Sequence, residues 1–313
     1  MFILFAQRKE FIFLLSGEMI SIAHIINPVK AKHGSELSIA QPIVFEAMRK
    51  AKAFATDVDV KLFSAQYAED AEIIPEYFQK TTNLENAVVI NGKKKLPLIK
   101  DILQRLFENS NSEYLIYTNT DIIVLPQFYE TLARIIEQGY DAFIINRRRI
   151  PKVYNSVNDL PFIYSDIGKS HPGFDCFVFK RELFPKFILG EICVGIPFVE
   201  ATLMHNLFAH AEKCKLFDGL HLTAHIGMDV MPKRDGDYYH HNRQEFEKIK
   251  KELQPLLSLK KMPYAEYSFP ARILKKALNP AVFTMMNLEL EKKSAGEKIS
   301  FLWNELRFRL LKK

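Results

Sequence analysis

Asn119 and Asp121 stand two residues apart in Tyr114-Leu115-Ile116-Tyr117-Thr118-Asn119-Thr120-Asp121-Ile122-Ile123-Val124-Leu125. An apolar run enters this short polar patch and a second apolar run leaves it. The pattern predicts a buried strand over Tyr114–Val124, then a helix over Pro126–Gln138. In extended backbone, side chains two apart share a face. The amide and the carboxylate would then point together into a cleft. Such a pair suits a hard divalent cation that already carries phosphate oxygens. A strand end with Asp121 as turn or cap residue fits the same letters.

Three later segments carry further chemistry. His171-Pro172-Gly173-Phe174-Asp175 reads as a turn leading into a strand, with Asp175 at its mouth. Gly195-Ile196-Pro197-Phe198-Val199-Glu200 reads as the start of a helix running to about Ala211. A carboxylate near a helix N-terminus is stabilised, and Pro197 suits a first turn. Six of the 9 histidines fall at His205, His210, His221, His225, His240 and His241. Phe217–Ile226 alternates like a strand, which would put His221 and His225 on one face. A neutral imidazole is a sound ligand for manganese-like ions, and equally an ordinary core residue. Arg243 follows the polar stretch Lys233–Tyr239 and could close over phosphates, or simply open a solvated helix.

The elements that must position these groups alternate. Strands are expected over Ile20–Ile26, Val58–Phe63, Ala87–Ile90 and Ala142–Ile145, with helices over Ser35–Phe54 and Leu96–Phe107 between them. Alternation predicts a mostly parallel sheet with helices on both faces. Such sheets bind ligands at the carboxyl ends of their strands. Asn27, Pro28 and Lys30 follow the first strand; Ser64, Gln66 and Tyr67 follow the second. No Gly-x-Gly-x-x-Gly, Walker or Gly-x-Ser-x-Gly motif is present, and Asn91–Lys95 lacks phosphate-loop spacing.

Composition bounds the rest. The chain has 313 residues, 48% hydrophobic and 26% charged, with net charge +6. This is globular composition. The positive balance suits polyanionic ligands or an anionic membrane surface. Without a basic tract interleaved with aromatics, nucleic acid is not an expected partner. Cys176, Cys193 and Cys214 give neither a disulfide framework nor a zinc pattern, and a reducing cytoplasm is expected. Residues 1–18 read as an extension, with Met19 as an alternative start. Residues 245–313 read as helical and basic. There Ile299, Leu302, Trp303, Leu306 and Leu310 keep helical spacing beside Arg307, Arg309, Lys312 and Lys313. That face would pack on its own domain or lie peripherally on the inner side of a membrane.

The order of these segments resembles the GT-A-fold glycosyltransferases over roughly residues 20–230. The family's central acidic motif, Asp-x-Asp and variants, is matched by Asn119-Thr120-Asp121, with an amide at the first position. The resemblance implies a GT-A-like (Rossmann-like) α/β fold with a C-terminal helical extension. It divides the chain into an extension (1–18), a catalytic domain (19–244) and a helical region (245–313). It implies transfer of a sugar from a nucleotide-sugar donor to a hydroxyl of a glycan or lipid-linked acceptor. Asp121 and Asn119, with His225 or His221, would hold a divalent metal (Mn2+ or Mg2+). Asn27 and Lys30 would face the base and ribose, and Arg243 the phosphates. Asp175 would line the acceptor side, with Glu200 as general base. Two alternatives stand beside this one. A sugar-phosphate nucleotidyltransferase would want a Gly-rich basic loop, whereas Asn27–Gly34 holds a single glycine. A binding or scaffold protein with the fold but not the chemistry would account for Asn119.

Overall fold

The computed structural model describes residues 19–171, 173–227, 236–258, 261–265, 267, 268, 270, 271 and 274. The extension expected at 1–18, residues 228–235 and the basic C-terminal helix expected around Ile299–Leu310 lie outside the described residues.

The N-terminal half alternates as the apolar pattern dictates. β1 (Ile20–Ile26) leads into α1 (Glu36–Phe54) and β2 (Val58–Ser64). Ser35 caps α1, its side chain accepting from the Ser38 amide at 3.3 Å. β3 (Gln79–Lys80), α2 (Ile99–Asn109), β4 (Tyr114–Thr118), β5 (Ile123–Val124), α3 (Phe128–Glu137) and β6 (Ala142–Ile145) follow. Next come β7 (Arg148–Ile150), α4 (Leu160–Ser165), β8 (Lys169–Ser170) and β9 (Cys176–Lys180). The described part closes with α5 (Val199–His210), β10 (Cys214–Phe217), β11 (Thr223–Ile226) and α6 (Gly236–Leu253).

Seven strands form the main sheet in the order β10-β6-β9-β4-β1-β2-β3. Its pairings are parallel except those of β9, which runs antiparallel to both β4 and β6. Strand alternation sorts the core into two layers. Ala23, Ile25, Leu115 and Tyr117 pack with α2, α5 and α6. Ile22, Ile26, Tyr114 and Ile116 pack with α1, α3 and α4. A second sheet, β5-β11-β7-β8, sits at the carboxyl ends of the main strands. This is the mostly parallel, helix-flanked α/β architecture that the sequence implied.

Four elements differ from the sequence expectation. The strand expected over Tyr114–Val124 breaks after Thr118, where the Ile122 amide turns back to the Asn119 carbonyl at 3.2 Å. Asn and Asp favour turns by bonding their own backbone, and the ladder with β9 ends at Thr118. Asn119 and Asp121 are therefore turn residues rather than neighbours on one strand face. The expected strand over Phe217–Ile226 divides into β10 and β11, leaving His221 in the connection. Ala87–Ile90 makes only the isolated bridge Val88–Leu96, and Gln79–Lys80 takes the sheet position next to β2. The helix expected from Leu96 starts at Ile99, because Pro97 disfavours helical backbone at the residue before it. The limit drawn at residue 244 falls inside α6, which is one continuous helix.

A buried polar link ties β1, β4 and α3 together within one of these layers. His24 on β1 is fully buried, with Tyr129 Oη and Thr118 Oγ1 each 2.9 Å from a ring nitrogen. Burial lowers its pKa to about 3, so the ring is neutral and one nitrogen donates while the other accepts. Tyr129→Phe removes one partner and leaves a buried nitrogen unsatisfied. It should destabilise the chain by about 1–3 kcal/mol in urea unfolding. An unchanged midpoint would show that the link contributes nothing.

Candidate functional site

The register of β9 creates the site. Cys176 pairs with Thr118 at the end of β4 and with Ile145 at the end of β6. One residue earlier, Asp175 therefore emerges beside Asn119 and Asn146. Asp175 is 2% exposed, and a buried carboxylate needs a partner. Arg147 supplies it, one Nη1 donating to Asp175 Oδ1. The His171 ring stands 3.4 Å from Arg147 Nη2 and accepts from the Gly173 amide at 2.8 Å. A Cβ at position 173 would come within 2.5 Å of that ring, so glycine lets the ring close over the turn.

The second sheet delivers the next pair. β5 runs antiparallel to β11, with Val124 opposite Thr223 and Ile123 opposite Ala224. Continuing that register sets His225 next to the Asn119–Ile122 turn. His225 Nε2 lies 3.2 Å from Asp121 Oδ2. Asp121 Oδ1 and His225 Nδ1 are buried and make no hydrogen bond. Asn119 Oδ1 accepts from the Tyr117 hydroxyl at 3.0 Å. Thr120 donates to Gln41 Oε1 at 3.2 Å, and Gln41 grips Val29 through both its amide and carbonyl, at 2.9 and 2.8 Å. The loop after β1 is thus tied to the loop after β4. In that first loop Asn27 Nδ2 donates to the Ala65 carbonyl at 2.6 Å, and the Lys30 amide to Asp70 Oδ1 at 2.7 Å. The Lys30 ammonium pairs with Glu72 at the surface.

Glu200 opens α5 behind a strained turn. Phe198 at φ 89° and Gly195 at φ 88° both lie in the left-handed region. For phenylalanine this conformation persists only where the surroundings hold it. Asn242 of α6 does the holding. It is fully buried, accepts from the Cys193 amide at 3.0 Å, and donates to the Cys193 and Pro197 carbonyls at 2.9 and 3.0 Å.

Electrostatics separates the three carboxylates. Burial works against charge on Asp121, but its hydrogen bond to His225, with Arg147 beyond, outweighs it. Its pKa falls below the ordinary value. Burial raises Asp175 despite the charge of Arg147. Burial raises Glu200 to about 7, against its own backbone amide, and the charge of Asp175 adds to the rise. One carboxylate is held ionised and another is poised near neutrality.

The Asp121–His225 pair fits a divalent cation. Adjacent ligands of an octahedral ion with bonds of about 2.1 Å stand roughly 3 Å apart, close to the observed 3.2 Å. Among the described residues no group of three or more His, Cys, Asp or Glu is placed to hold one metal ion. Two protein ligands would leave the remaining positions to ligand oxygens and water.

Of the residues expected at the site, Asp121, His225, Asn119, Asp175 and Glu200 converge. Asn27 and Lys30 line the neighbouring loop. His221 stands near Arg148 and Asp166 instead. Arg243 lies in α6, with its Nε 3.3 Å from Glu247 Oε1. Arg147, Gln41 and Asn242 were not singled out from sequence. Arg147 had a signal, since it follows β6 at the ligand-binding edge. Gln41 and Asn242 sit inside helical patterns and had none.

No family profile matches the chain, and no curated protein matches it in sequence. Solved structures do align with it. S. aureus TarS in complex with UDP-GlcNAc is 8% identical, with TM-score 0.46, covering 91% of this chain and 79% of that one. Glucosyl-3-phosphoglycerate synthase from Mycobacterium tuberculosis, with Mn2+, UDP and glucosyl-3-phosphoglycerate, is 14% identical, with TM-score 0.43, covering 75% and 80%. 4-Diphosphocytidyl-2C-methyl-D-erythritol synthase from Anaerococcus prevotii is 11% identical, with TM-score 0.40, covering 76% and 100%.

The clamp on the Glu200 turn gives a direct test. Asn242→Ala removes three hydrogen bonds to backbone groups of the 193–197 loop and a fourth from the Cys193 thiol, and leaves buried backbone groups unpaired. The chain should lose about 2–4 kcal/mol in denaturant unfolding. A loss under about 0.5 kcal/mol, the usual size for an inert surface site, would mean that α6 does not hold the turn.

Proposed function

We propose that this chain is a glycosyltransferase that moves a sugar from a nucleotide diphosphate donor to an acceptor hydroxyl. The observation that carries the reading is the division of labour between carboxylates: Asp121 is ionised beside His225, and Glu200 is poised near neutral pH. Asp121 and His225 would hold a manganese or magnesium ion, with Asn119 alongside. When bound, the metal supplies positive charge against the leaving diphosphate. Asn27 and Lys30, in the loop after β1, would contact the nucleoside.

The acceptor side falls to Asp175 and Glu200. Asp175 is fixed by Arg147 through Oδ1, and its Oδ2 makes no hydrogen bond. That oxygen can accept from an acceptor hydroxyl and orient the sugar or lipid-linked group that bears it. Glu200 takes the hydroxyl proton as the sugar carbon is attacked. A base with a pKa near working pH suits that step.

One observation favours a second reading, a binding protein that kept the fold without the chemistry. Asn119 replaces the first acidic residue, and its Oδ1 already accepts from Tyr117.

A thermal-shift panel of UDP, GDP, CMP and their common sugars, with and without manganese, separates the two. Binding to the native state alone raises the melting temperature by mass action. One nucleotide should give a metal-dependent rise that Asp121→Ala abolishes. Glu200→Gln should keep that rise while its turnover falls by about 10²–10⁴-fold. No shift with any nucleotide would sink the transferase reading. A shift without turnover in the unaltered chain would favour the binding protein.

The pH dependence has a definite sign. Glu200 must be deprotonated to act, so turnover should climb as pH rises through about 7. Its raised pKa also means that the folded chain holds this proton more tightly than the unfolded chain. Its contribution to stability therefore falls between the ordinary glutamate pKa near 4.5 and about 7. Glu200→Gln should accordingly gain stability over the unaltered chain at alkaline pH relative to acidic pH. Equal differences at both ends would contradict the assignment.

A further inference from the structure

Tyr117 decides which way the Asn119 amide points. The tyrosine is 1% exposed, and its hydroxyl donates to Asn119 Oδ1 at 3.0 Å. Among the described residues no other acceptor lies within reach of that hydroxyl. With the amide turned over, Nδ2 would meet the hydroxyl and leave a buried donor unsatisfied, which folding disfavours. The oxygen is therefore engaged toward β4, and the nitrogen is the end left over. Asn119 Nδ2 makes no hydrogen bond among the described residues, and it is not among the buried polar atoms that lack a partner. It is a donor open to solvent on a half-buried side chain.

Two residues on, Asp121 offers the opposite chemistry. Its Oδ1 is open and buried, and His225 Nε2 stands 3.2 Å from Oδ2. The Ile122 amide closes the turn on the Asn119 carbonyl at 3.2 Å, so both side chains leave one short loop. That loop carries a charged group that attracts a cation and a neutral one with a free donor. Hard divalent ions take oxygen ligands, and an amide nitrogen offers only N–H donors. Phosphate oxygens only accept, which matches a group that donates. A cation held by Asp121 and His225 would bring phosphate oxygens to this loop.

We propose that Asn119 binds a diphosphate oxygen of the donor directly through Nδ2 and is not a ligand of the metal. The inference rests on the transferase reading for its nucleotide. It deepens that reading by giving Asn119 to the anion and leaving Asp121 and His225 as the protein ligands of the cation. A carboxylate at position 119 would face the same oxygen with like charge.

Isothermal titration of UDP and GDP into the full chain, in EDTA and in saturating manganese, separates the two roles. By linkage, a metal ligand changes nucleotide affinity only when the metal is present. A residue that touches the nucleotide changes it in both buffers. The unaltered chain should bind one of the two nucleotides in both, more weakly in EDTA. Asn119→Ala should weaken that binding by about tenfold in each buffer. It should keep the wild-type melting temperature, because the turn is closed by backbone groups. Tyr117→Phe, which keeps the donor and removes its anchor, should weaken both arms by about threefold. Asp121→Ala should weaken the manganese arm alone. Uridine and guanosine, which lack phosphate, should bind the Asn119→Ala chain and the unaltered chain alike. A loss confined to manganese would make Asn119 a metal ligand and overturn the proposal. Unchanged affinity in both buffers, an equal loss for the free nucleosides, or a wild type that binds only with manganese would overturn it as well. A wild type that binds neither nucleotide in either buffer would instead remove the transferase reading, and the proposal with it.

Discussion

Three carboxylates cannot crowd one end of a sheet and all stay charged without a cation among them. Asp121, Asp175 and Glu200 each feel the charge of Arg147; burial raises Glu200, and the two aspartates add to the rise. Arg147 spends its strongest contact on Asp175, the most buried of the three. Asp121 gains its own partner in His225, and Glu200 has neither contact. Partners outweigh burial at Asp121 alone, whereas burial dominates at Asp175 and Glu200.

The fold sets up this arrangement through strand direction. In a wholly parallel sheet every strand would end at the carboxyl edge and none would begin there. β9 runs the other way, so its N-terminal end, with Asp175, lies at the edge where β4 and β6 finish. The short β5–β11 pairing brings His225 to the same edge from far along the chain. Neither pairing is long, so side-chain clamps complete the work. Gln41 fastens the loop after β1 to the turn that holds Asp121. Asn242 fastens the turn that aims Glu200. Both clamps are amides, which can donate and accept at once without adding charge to a site that already carries three acids.

Much of this was legible in the sequence because apolar period survives folding. β1, α1, β2, α3 and β6 emerge where alternation or helical spacing put them, and Ser35 caps α1 as its type suggests. What did not survive were boundaries set by partners distant in sequence. Nothing in Tyr114–Val124 says that β9 stops pairing at Thr118, so the Asn119–Ile122 turn was read as strand. Nothing in Phe217–Ile226 says that one end pairs with β6 and the other with β5. His221 and His225 therefore looked equivalent, although only His225 reaches Asp121. The buried amides were invisible for a related reason. A glutamine or asparagine at helical spacing reads as surface, and only the tertiary contact shows that Gln41 and Asn242 are 3% and 0% exposed.

The amide at position 119 can be weighed in the same terms. A carboxylate there would stand across from Asp175, whose pKa burial already raises, and two residues from Asp121. It would be a fourth acid drawing on Arg147 and His225, and like charges at such range disfavour one another by the same logic that raises Glu200. The Tyr117 hydroxyl donates to Asn119 Oδ1 and would donate equally well to a carboxylate, so that contact does not select the amide. The charge balance does. With Asn119, Asp121 keeps a depressed pKa and an open buried oxygen, the two properties a cation needs from it. The amide that favours the binding-protein reading is therefore also compatible with a working metal site.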